Sequence, residues 1–499
     1  MYDIEKLRQC FPETTVYKDR VVARLFKNAK IESFLRDWII RRIADSDGRV
    51  ADIDRLSDYI AKIIPKRTDR GIIEDEARTN GETRPFLTKI AVSYNSKANY
   101  MSFEIANLGF TFDKTIIEDY VWERIKKPLL ERSGGWGLVK IGYLPPDGNK
   151  NNGKFTLLDY KNFRPYNVNL DAYREARAKY NNVEEWMDVL LGAIDYDPDG
   201  FKKPGMLEQD VWKAKHTMLT RLIPFVQPRM NLIELAPQQT GKSYIFGNIG
   251  KYGWLAGGGS MSRAKLFADM RPGAKTKGLV TFTDFVAIDE IKSINFTNDK
   301  EMAGIFKGYM ENGWVHVGGE RVEGDAGIIF LGNIDVNDMS GGHDMFKELP
   351  GIFRDSALLQ RIHGFIPGRC IPSISPSMII NGWALNTEYF AEIMHCFHDK
   401  KEETMRYRAM AEKLVSITSR GKDNSNREQD AVLNLCAAYL KLFFPHVNDD
   451  IIDDISFKNE FNRYCLQPAK MMQETVLEQM KIINPNEFAN KSMATYQVR

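Results

Sequence analysis

The sequence predicts an α/β fold, and three stretches carry that reading: NLIELAPQQTGKS (231–243), TFTDFVAIDE (281–290) and AGIIFLGN (326–333). Each is an apolar, β-leaning run that stops at polar residues able to do chemistry. Strands of this kind, separated by amphipathic helical patterns, are what an α/β core looks like in one dimension.

The first stretch has the order strand, tight turn, Lys-Ser, helix. It approximates the phosphate-loop pattern GxxxxGK[ST], here Ala236, Pro237, Gln238, Gln239, Thr240, Gly241, Lys242 and Ser243. Backbone N–H groups of such a loop and of the following helix face anionic phosphates. Lys242 adds a mobile positive charge, and the Ser243 hydroxyl suits a magnesium ion. ATP and Mg²⁺ are therefore the expected ligands. One position departs from the pattern: Ala236 replaces the first glycine, which suits the turn only if its φ is negative.

The second stretch ends in Asp289-Glu290. Asp289 at a strand terminus is placed for Mg²⁺, and Glu290 for polarising an attacking water. Its distance from Lys242 leaves room for an extra strand between the two motifs. The third stretch ends in Asn333, able to reach both the γ-phosphate and the water. Further on, DSALLQRIHGFIPG puts Arg361 at a helix end, suited to a neighbouring subunit's γ-phosphate. A contribution of that kind is worth about 10³–10⁵ in rate in GTPases. Singly, an Asn or an Arg is usually structural; in this order they predict an additional-strand (AAA+) ATPase. Arg427, where a later helix begins, is the matching candidate to close on phosphate from the same or an adjacent subunit.

Length and composition agree. At 499 residues about three domains are expected, and 43% hydrophobic residues are enough for real cores. No apolar run is long enough to span a membrane, and the charged first ten residues do not form a signal peptide. The scattered Cys10, Cys370, Cys396, Cys436 and Cys465 include no CxxC pair, so neither disulfides nor a zinc knuckle is indicated and the cytoplasm is the expected location. A net charge of +2 announces no polyanion by itself.

Taken in order, 1–83 reads as a helical region, with IESFLRDWIIRRIA and VADIDRLSDYIAKII as its helices and 66–83 as a polar loop. Lys18, Arg20, Arg24, Lys27, Lys30, Arg36, Arg41 and Arg42 lie there against Asp19, Glu32 and Asp37: either a solvated face or a polyanion-facing surface. Residues 84–165 read as a small β-rich domain with strands FLTKIAVSYN, YMSFEIANLGF and GLVKIGYL and a helix near 117–130. Its Tyr94, Tyr100, Tyr120, Trp136 and Tyr143 are core residues or base-stacking platforms. A helical connector (166–205), the ATPase domain (206–380, with SRAKLFADM as one of its helices) and a helical lid with C-terminal helices (381–499) complete the chain. His395, Cys396 and His398 share a helix, but without further ligands they read as core or surface rather than metal.

With these residues in place the sequence resembles the BrxL family, the Lon-like ATPase of bacteriophage exclusion (BREX) systems. The likeness runs over about 86–445 and is carried by LTRLIPFVQPRMNLIELAPQQTGKS, GLVTFTDFVAIDE, IFKGYMENGWVHVGGE, IIFLGNI, DSALLQRIHGFIPGRCIP and YREARAKYNNVEEWMDVLLGAI. The resemblance implies a ring-forming ATPase, hexameric and in some cases stacked as a double hexamer, of MCM-like architecture, acting on DNA alongside other phage-defence proteins. Family members usually carry a C-terminal Lon-protease-like domain with a serine–lysine dyad. Here NEFANKSMATYQVR is a polar tail, and its Lys491-Ser492 is not a plausible dyad, so proteolysis is not expected of this chain.

Two loops bear on the substrate. ADMRPGAKTKGLV offers Arg271, Lys275 and Lys277 with flexible glycines and no aromatic, as phosphate contacts require and as a peptide grip does not. GWVHVGGERVEGDAG reads as a β-hairpin with His316 and Arg321 as candidate DNA contacts; the alternative is that Glu320 pairs with Arg321 or a neighbour and the hairpin only shapes an interface. Three functions remain open on this basis: a DNA-binding, translocating or remodelling ring; a protein unfoldase; and a nucleotide-switched scaffold for partner proteins.

Overall fold

The computed structural model describes residues 3–95, 99–130, 135–146, 153–203, 205–257, 260–269, 276–296, 298–335, 342–418 and 426–499. The chain forms two compact units. One comprises Met1–Trp38, Val168–Leu266 and Leu279–Arg499; the other comprises Ile39–Asn167 and Phe267–Gly278.

The larger unit is built on a parallel sheet of β1 (Leu232–Ala236), β2 (Gly253–Ala256), β3 (Phe285–Ile288), β4 (Gly327–Asn333) and β5 (Gly364–Phe365). Its spatial order is β5-β1-β4-β3-β2, all pairs parallel. Every residue of β1 and β3 is buried, as expected of continuous apolar strands in a parallel sheet covered on both faces. The strand that follows β1 in sequence, β2, lies at the far edge. The strand inserted between β1 and β3 is β4, the one ending in Asn333. In register, Asn333 stands beside Ala236.

Around the sheet lie Glu208–Thr220, Ile223–Val226, Lys242–Asn248 and Asp299–Asn312. The C-terminal part is helical, with Thr387–Asp399, Lys401–Leu414, Asn426–Phe443 and Gln467–Ile483 the longest helices. Two of the short sheets that were not foreseen join segments far apart in the sequence. Thr15–Lys18, expected to start a helical run, is a strand paired with Gly382–Leu385. The polar tail contains the strand Thr495–Val498, paired with Val415–Thr418; Tyr496 is buried and its hydroxyl bonds Glu428, which anchors the tail. SRAKLFADM, expected as a helix, is helical only over Arg263–Leu266.

The basic N-terminal run is not uniformly a surface either. Lys18 and Arg36 are buried in one ionic cluster with Asp37 and Asp195: Lys18 Nζ lies 2.8 Å from Asp195 Oδ1 and 3.2 Å from Asp37 Oδ2, and the Arg36 guanidinium reaches both carboxylates. Two cations facing two anions is the arrangement in which buried charge is tolerated.

The smaller unit holds an antiparallel core of Phe86–Lys89, Trp136–Leu144 and Lys154–Asn162, edged in parallel by Thr115–Ile116. FLTKIAVSYN, expected as one strand, is two: Ala91–Asn95 leaves the sheet and pairs with Tyr100–Glu104. The supposed loop 66–83 contains the helix Arg70–Thr79, whose Ile73 and Ala77 join the core with Phe86, Phe103, Phe110, Val139 and Leu157. The strand Lys154–Asn162 went unforeseen behind its turn-rich approach. Tyr94 and Tyr120 are 51% and 67% exposed, so they are not core residues, whereas Tyr143 packs against the core. Ala268–Asp269 and Thr276–Lys277 form a short antiparallel ladder that belongs to this unit.

Candidate nucleotide site

The phosphate-binding loop leaves β1 at its C-terminal end, where parallel-sheet α/β proteins place ligands. The positive-φ positions of the loop are Gln239 (62°) and Gly241 (80°); Ala236 is not among them, so an alanine costs the turn nothing. Space for its methyl comes from across the fold: a Cβ built on Gly368 would lie 2.4 Å from Ala236 Cβ and 2.6 Å from Glu234 Oε1. Gly241 is hemmed in as well, because a Cβ there would meet the Tyr196 hydroxyl at 2.4 Å.

Four expected residues converge at this end of the sheet. Lys242 Nζ donates to Asn333 Oδ1 at 2.9 Å and to the carbonyls of Ala236 and Pro237 at 3.3 and 3.1 Å. Burial lowers its pKa, with Glu234 opposing that shift. Ser243 Oγ donates to Asp289 Oδ2 at 2.5 Å. A hydroxyl and a carboxylate in contact, partly open to solvent, are a hard-oxygen donor set of the kind Mg²⁺ takes while keeping several waters. Asp289 is aligned by its own N–H, which donates to Ala256 O at 2.8 Å. Glu290 follows with a φ of 54°, its N–H bonded to Asp289 Oδ1 at 2.8 Å and its side chain exposed. A glutamate held in the left-handed region is strained, and such strain gathers at functional sites.

Arg361 and Arg427 are elsewhere. Asn231, just ahead of β1, donates from Nδ2 to Arg361 O at 3.4 Å, so Arg361 sits at the N-terminal end of the strand. The length of β1 separates it from the loop, roughly 15 Å at the usual rise per residue. There both arginines face Glu311. Arg361 Nε lies 3.0 Å from Glu311 Oε2, and Arg427 Nε lies 3.0 and 2.9 Å from the two carboxylate oxygens.

The predicted hairpin is present as Trp314–Val317 and Glu320–Glu323, turned by Gly318 and Gly319 at positive φ. His316 and Arg321 are exposed partners in register. Arg321 lies 4.6 Å over the Trp314 ring and 3.4 Å from Glu323. Lys277 is exposed, while Arg271 and Lys275 lie outside the described residues.

The histidine cluster is interior. His395 stacks on Tyr252 at 3.6 Å and its Nδ1 contacts Asp284 at 2.8 Å; His398 approaches the same carboxylate at 3.4 Å. Nearby, Lys251 is buried between Glu388 and Glu392. Among the described residues no group of His, Cys, Asp or Glu is arranged to hold a metal. The described cysteines are all free thiols. Lys491 sits 4.3 Å over the Phe488 ring and 3.6 Å from Glu487.

Residues that the motifs did not announce support the loop. Arg221, fully buried, forms a bidentate pair with Glu234 on β1 (2.6 and 3.0 Å) and donates to Thr240 O of the loop at 2.6 Å. Glu234 is a charge inside an otherwise apolar strand, a pattern that demands a buried cation and could have revealed this one. On the other side Tyr244, next to Ser243, donates its hydroxyl to Asp195 and lies 2.6 Å from Ser33 Oγ, tying the loop helix to the buried ionic cluster.

Residues 155–494 match the family described as "Lon-like protease BrxL-like, ATPase domain", and residues 9–143 match "BREX system Lon protease-like protein BrxL N-terminal". The chain belongs to the BrxL family. It is 28% identical to proteins named "Lon-like protease BrxL" from Escherichia coli O9:H4 (strain HS) and Bacillus cereus (strain H3081.97), with 98% and 97% of this chain covered. The chain spans 66% and 67% of those two relatives, about two thirds of their length. The BrxL ATPase-domain match spans the loop, Asp289-Glu290, Asn333, Arg361 and Arg427. No helix among the described residues is long and apolar enough to cross a membrane.

Proposed function

We propose that this BrxL-family chain is an AAA+ ATPase that assembles into an MCM-like ring, hexameric or stacked, and uses ATP hydrolysis in the cytoplasm to move along or remodel DNA in phage defence. The observation that carries this is the separation of the site's parts along β1. Lys242, Ser243, Asp289 and Asn333 gather at one end, whereas Arg361 and Arg427 stand at the other, too far to serve the same nucleotide. The strand order β5-β1-β4-β3-β2, with β4 inserted between the two motif strands, supports the AAA+ assignment.

In this reading the loop amides and Lys242 bind the β- and γ-phosphates. Ser243 and Asp289 would hold the Mg²⁺, which supplies neutralisation of phosphate charge. Glu290 accepts a proton from the attacking water, Asn333 orients that water, and Arg361 of the next copy stabilises charge developing on the transferred phosphoryl group. DNA contact is assigned to Arg271, Lys275 and Lys277 and to His316 and Arg321, with the exposed hairpin around Arg321 in support.

The test is assembly and turnover together. Mass photometry with ATP should show rings, duplex DNA should stimulate the ATPase, and Arg361→Ala should abolish turnover while leaving nucleotide binding intact. A Lys275→Ala/Lys277→Ala variant should weaken DNA binding and flatten its salt dependence. A chain that stays monomeric in every nucleotide state, or an Arg361→Ala variant with full activity, overturns the reading.

A further inference from the structure

Glu290 stands in a conformation that its residue type disfavours. At a φ of 54° its Cβ crowds the following carbonyl, and such positions belong mostly to glycine, asparagine and aspartate. Strain of this kind persists only where the surroundings over-determine the backbone. The exposed Glu290 side chain receives little guidance from packing, so its direction is inherited from that strained main chain.

Three tethers hold it. Glu290 N–H donates to Asp289 Oδ1 at 2.8 Å. Ile291 N–H donates to Leu331 O on β4 at 3.1 Å, and a Cβ built on Gly332 would lie 3.2 Å from Cγ1 of the buried Ile291 side chain. The bare backbone of Gly332, next to Asn333, thus seats the turn against the strand. The third tether is double: the Glu290 carbonyl accepts from Ser293 N–H at 2.9 Å and from the Ser293 hydroxyl at 3.0 Å. The first contact restrains φ of Glu290 and the last restrains its ψ. Ser293 is exposed, and an exposed hydroxyl has water as a ready partner; this one turns back onto the peptide that follows Glu290.

We propose that Ser293 is a positioning residue for Glu290: its hydroxyl clamps the Glu290 carbonyl, keeps that residue left-handed and so keeps the carboxylate in the direction from which it takes a proton from water. This rests on the reading of Glu290 as that proton acceptor. The strain offsets part of what the tethers contribute, so the productive backbone is favoured by a narrow margin that one hydrogen bond shifts. Among the described residues the Ser293 hydroxyl bonds Glu290 O and nothing else. Its removal therefore tests the clamp while Lys242, Ser243, Asp289 and Asn333 all stay in place.

The experiment compares the full chain with Ser293→Ala, Ser293→Thr, Glu290→Gln and the Ser293→Ala/Glu290→Gln double variant. It reads kcat by phosphate release and affinity for a non-hydrolysable ATP analogue by calorimetry, with thermal melts showing that each variant is folded. Ser293→Ala should lower kcat about two- to tenfold, the weight of one neutral hydrogen bond, with affinity unchanged. Ser293→Thr keeps the hydroxyl and should restore most of the rate. In the Glu290→Gln background Ser293→Ala should lower the residual rate no further, because the carboxylate it directs is gone. An unchanged kcat in Ser293→Ala, a loss confined to affinity, an equal loss in the alanine and threonine variants, or an undiminished effect beside Glu290→Gln overturns the clamp. Full turnover in Glu290→Gln overturns instead the proton-acceptor reading beneath it, whatever Ser293 does.

Discussion

Arg221 and Glu234 form a bidentate ion pair, both side chains fully buried, directly behind the phosphate-binding loop, and Arg221 donates onward to Thr240 O. The pair fixes the peptide ahead of Gly241, and hence the direction of the N–H groups that meet phosphate. Arg221→Met should destabilise the protein by about 3–5 kcal/mol, because Glu234 is left charged and unpaired. Adding Glu234→Met should restore most of that stability in a denaturation experiment. Nucleotide affinity should stay about fivefold weaker in the double variant, since the hydrogen bond to the loop is still missing. Full recovery of affinity would mean that the pair serves stability alone.

Binding and turnover should separate at the neighbouring residues. Lys242→Ala removes the charge that reaches both the loop carbonyls and Asn333, and should reduce nucleotide binding to background. Glu290→Gln keeps size and most polarity, so binding should persist while hydrolysis falls at least about a hundredfold. Calorimetric titration and phosphate release measured on the same preparation check both.

The Tyr244 hydroxyl is shared between Asp195 and Ser33 in the buried cluster. Tyr244→Phe deletes it and leaves Asp195 with one donor fewer, a cost of about 1–3 kcal/mol. Ser33→Ala should cost less, because Tyr244 keeps its bond to the carboxylate. Equal losses in urea melts would place the energy in the Ser33 contact instead.

His216 supplies a pH dependence. Buried, with Nε2 2.9 Å from Tyr464 O, its pKa is pushed down from 6.5 to about 4 by burial, against a smaller opposing pull from that carbonyl. The folded state therefore binds the proton less readily than the unfolded one. The contribution of His216 is fully present above pH 6.5 and is lost as pH falls from 6.5 towards 4, on the order of 3 kcal/mol in all. Stability measured across that window should fall with acid, and His216→Gln should flatten the fall even if it lowers stability at neutral pH.

The convergence of Lys242, Ser243, Asp289 and Asn333 was legible because its parts are local. Strand, loop and Lys242-Ser243 are contiguous, and Asp289 and Asn333 each close an apolar run, so period and punctuation were enough. What the motifs did not convey was long-range pairing. Lys18 and Arg36 read as surface charges, yet Asp195, far along the chain, draws them inside. The segment 66–83 reads as loop from its polarity, yet Ile73 and Ala77 find a core that makes it a helix. The Lys154–Asn162 strand hides behind a turn-rich approach, and its place depends on its partner Trp136–Leu144. Glu234 was the exception: a carboxylate inside a buried strand already implied a cation, and only the identity of Arg221 needed the fold.

The crowding of Ala236 against Gly368 has an evolutionary and practical consequence. The loop's missing glycine has a counterpart on the opposite wall, where the bare backbone of Gly368 makes room for the extra methyl. The two positions share one volume, which Glu234 Oε1 also crowds, so with a methyl at Ala236 no side chain fits at Gly368. A search for this kind of enzyme that insists on glycine at the start of the loop will pass over chains that solved the same steric problem from the other side.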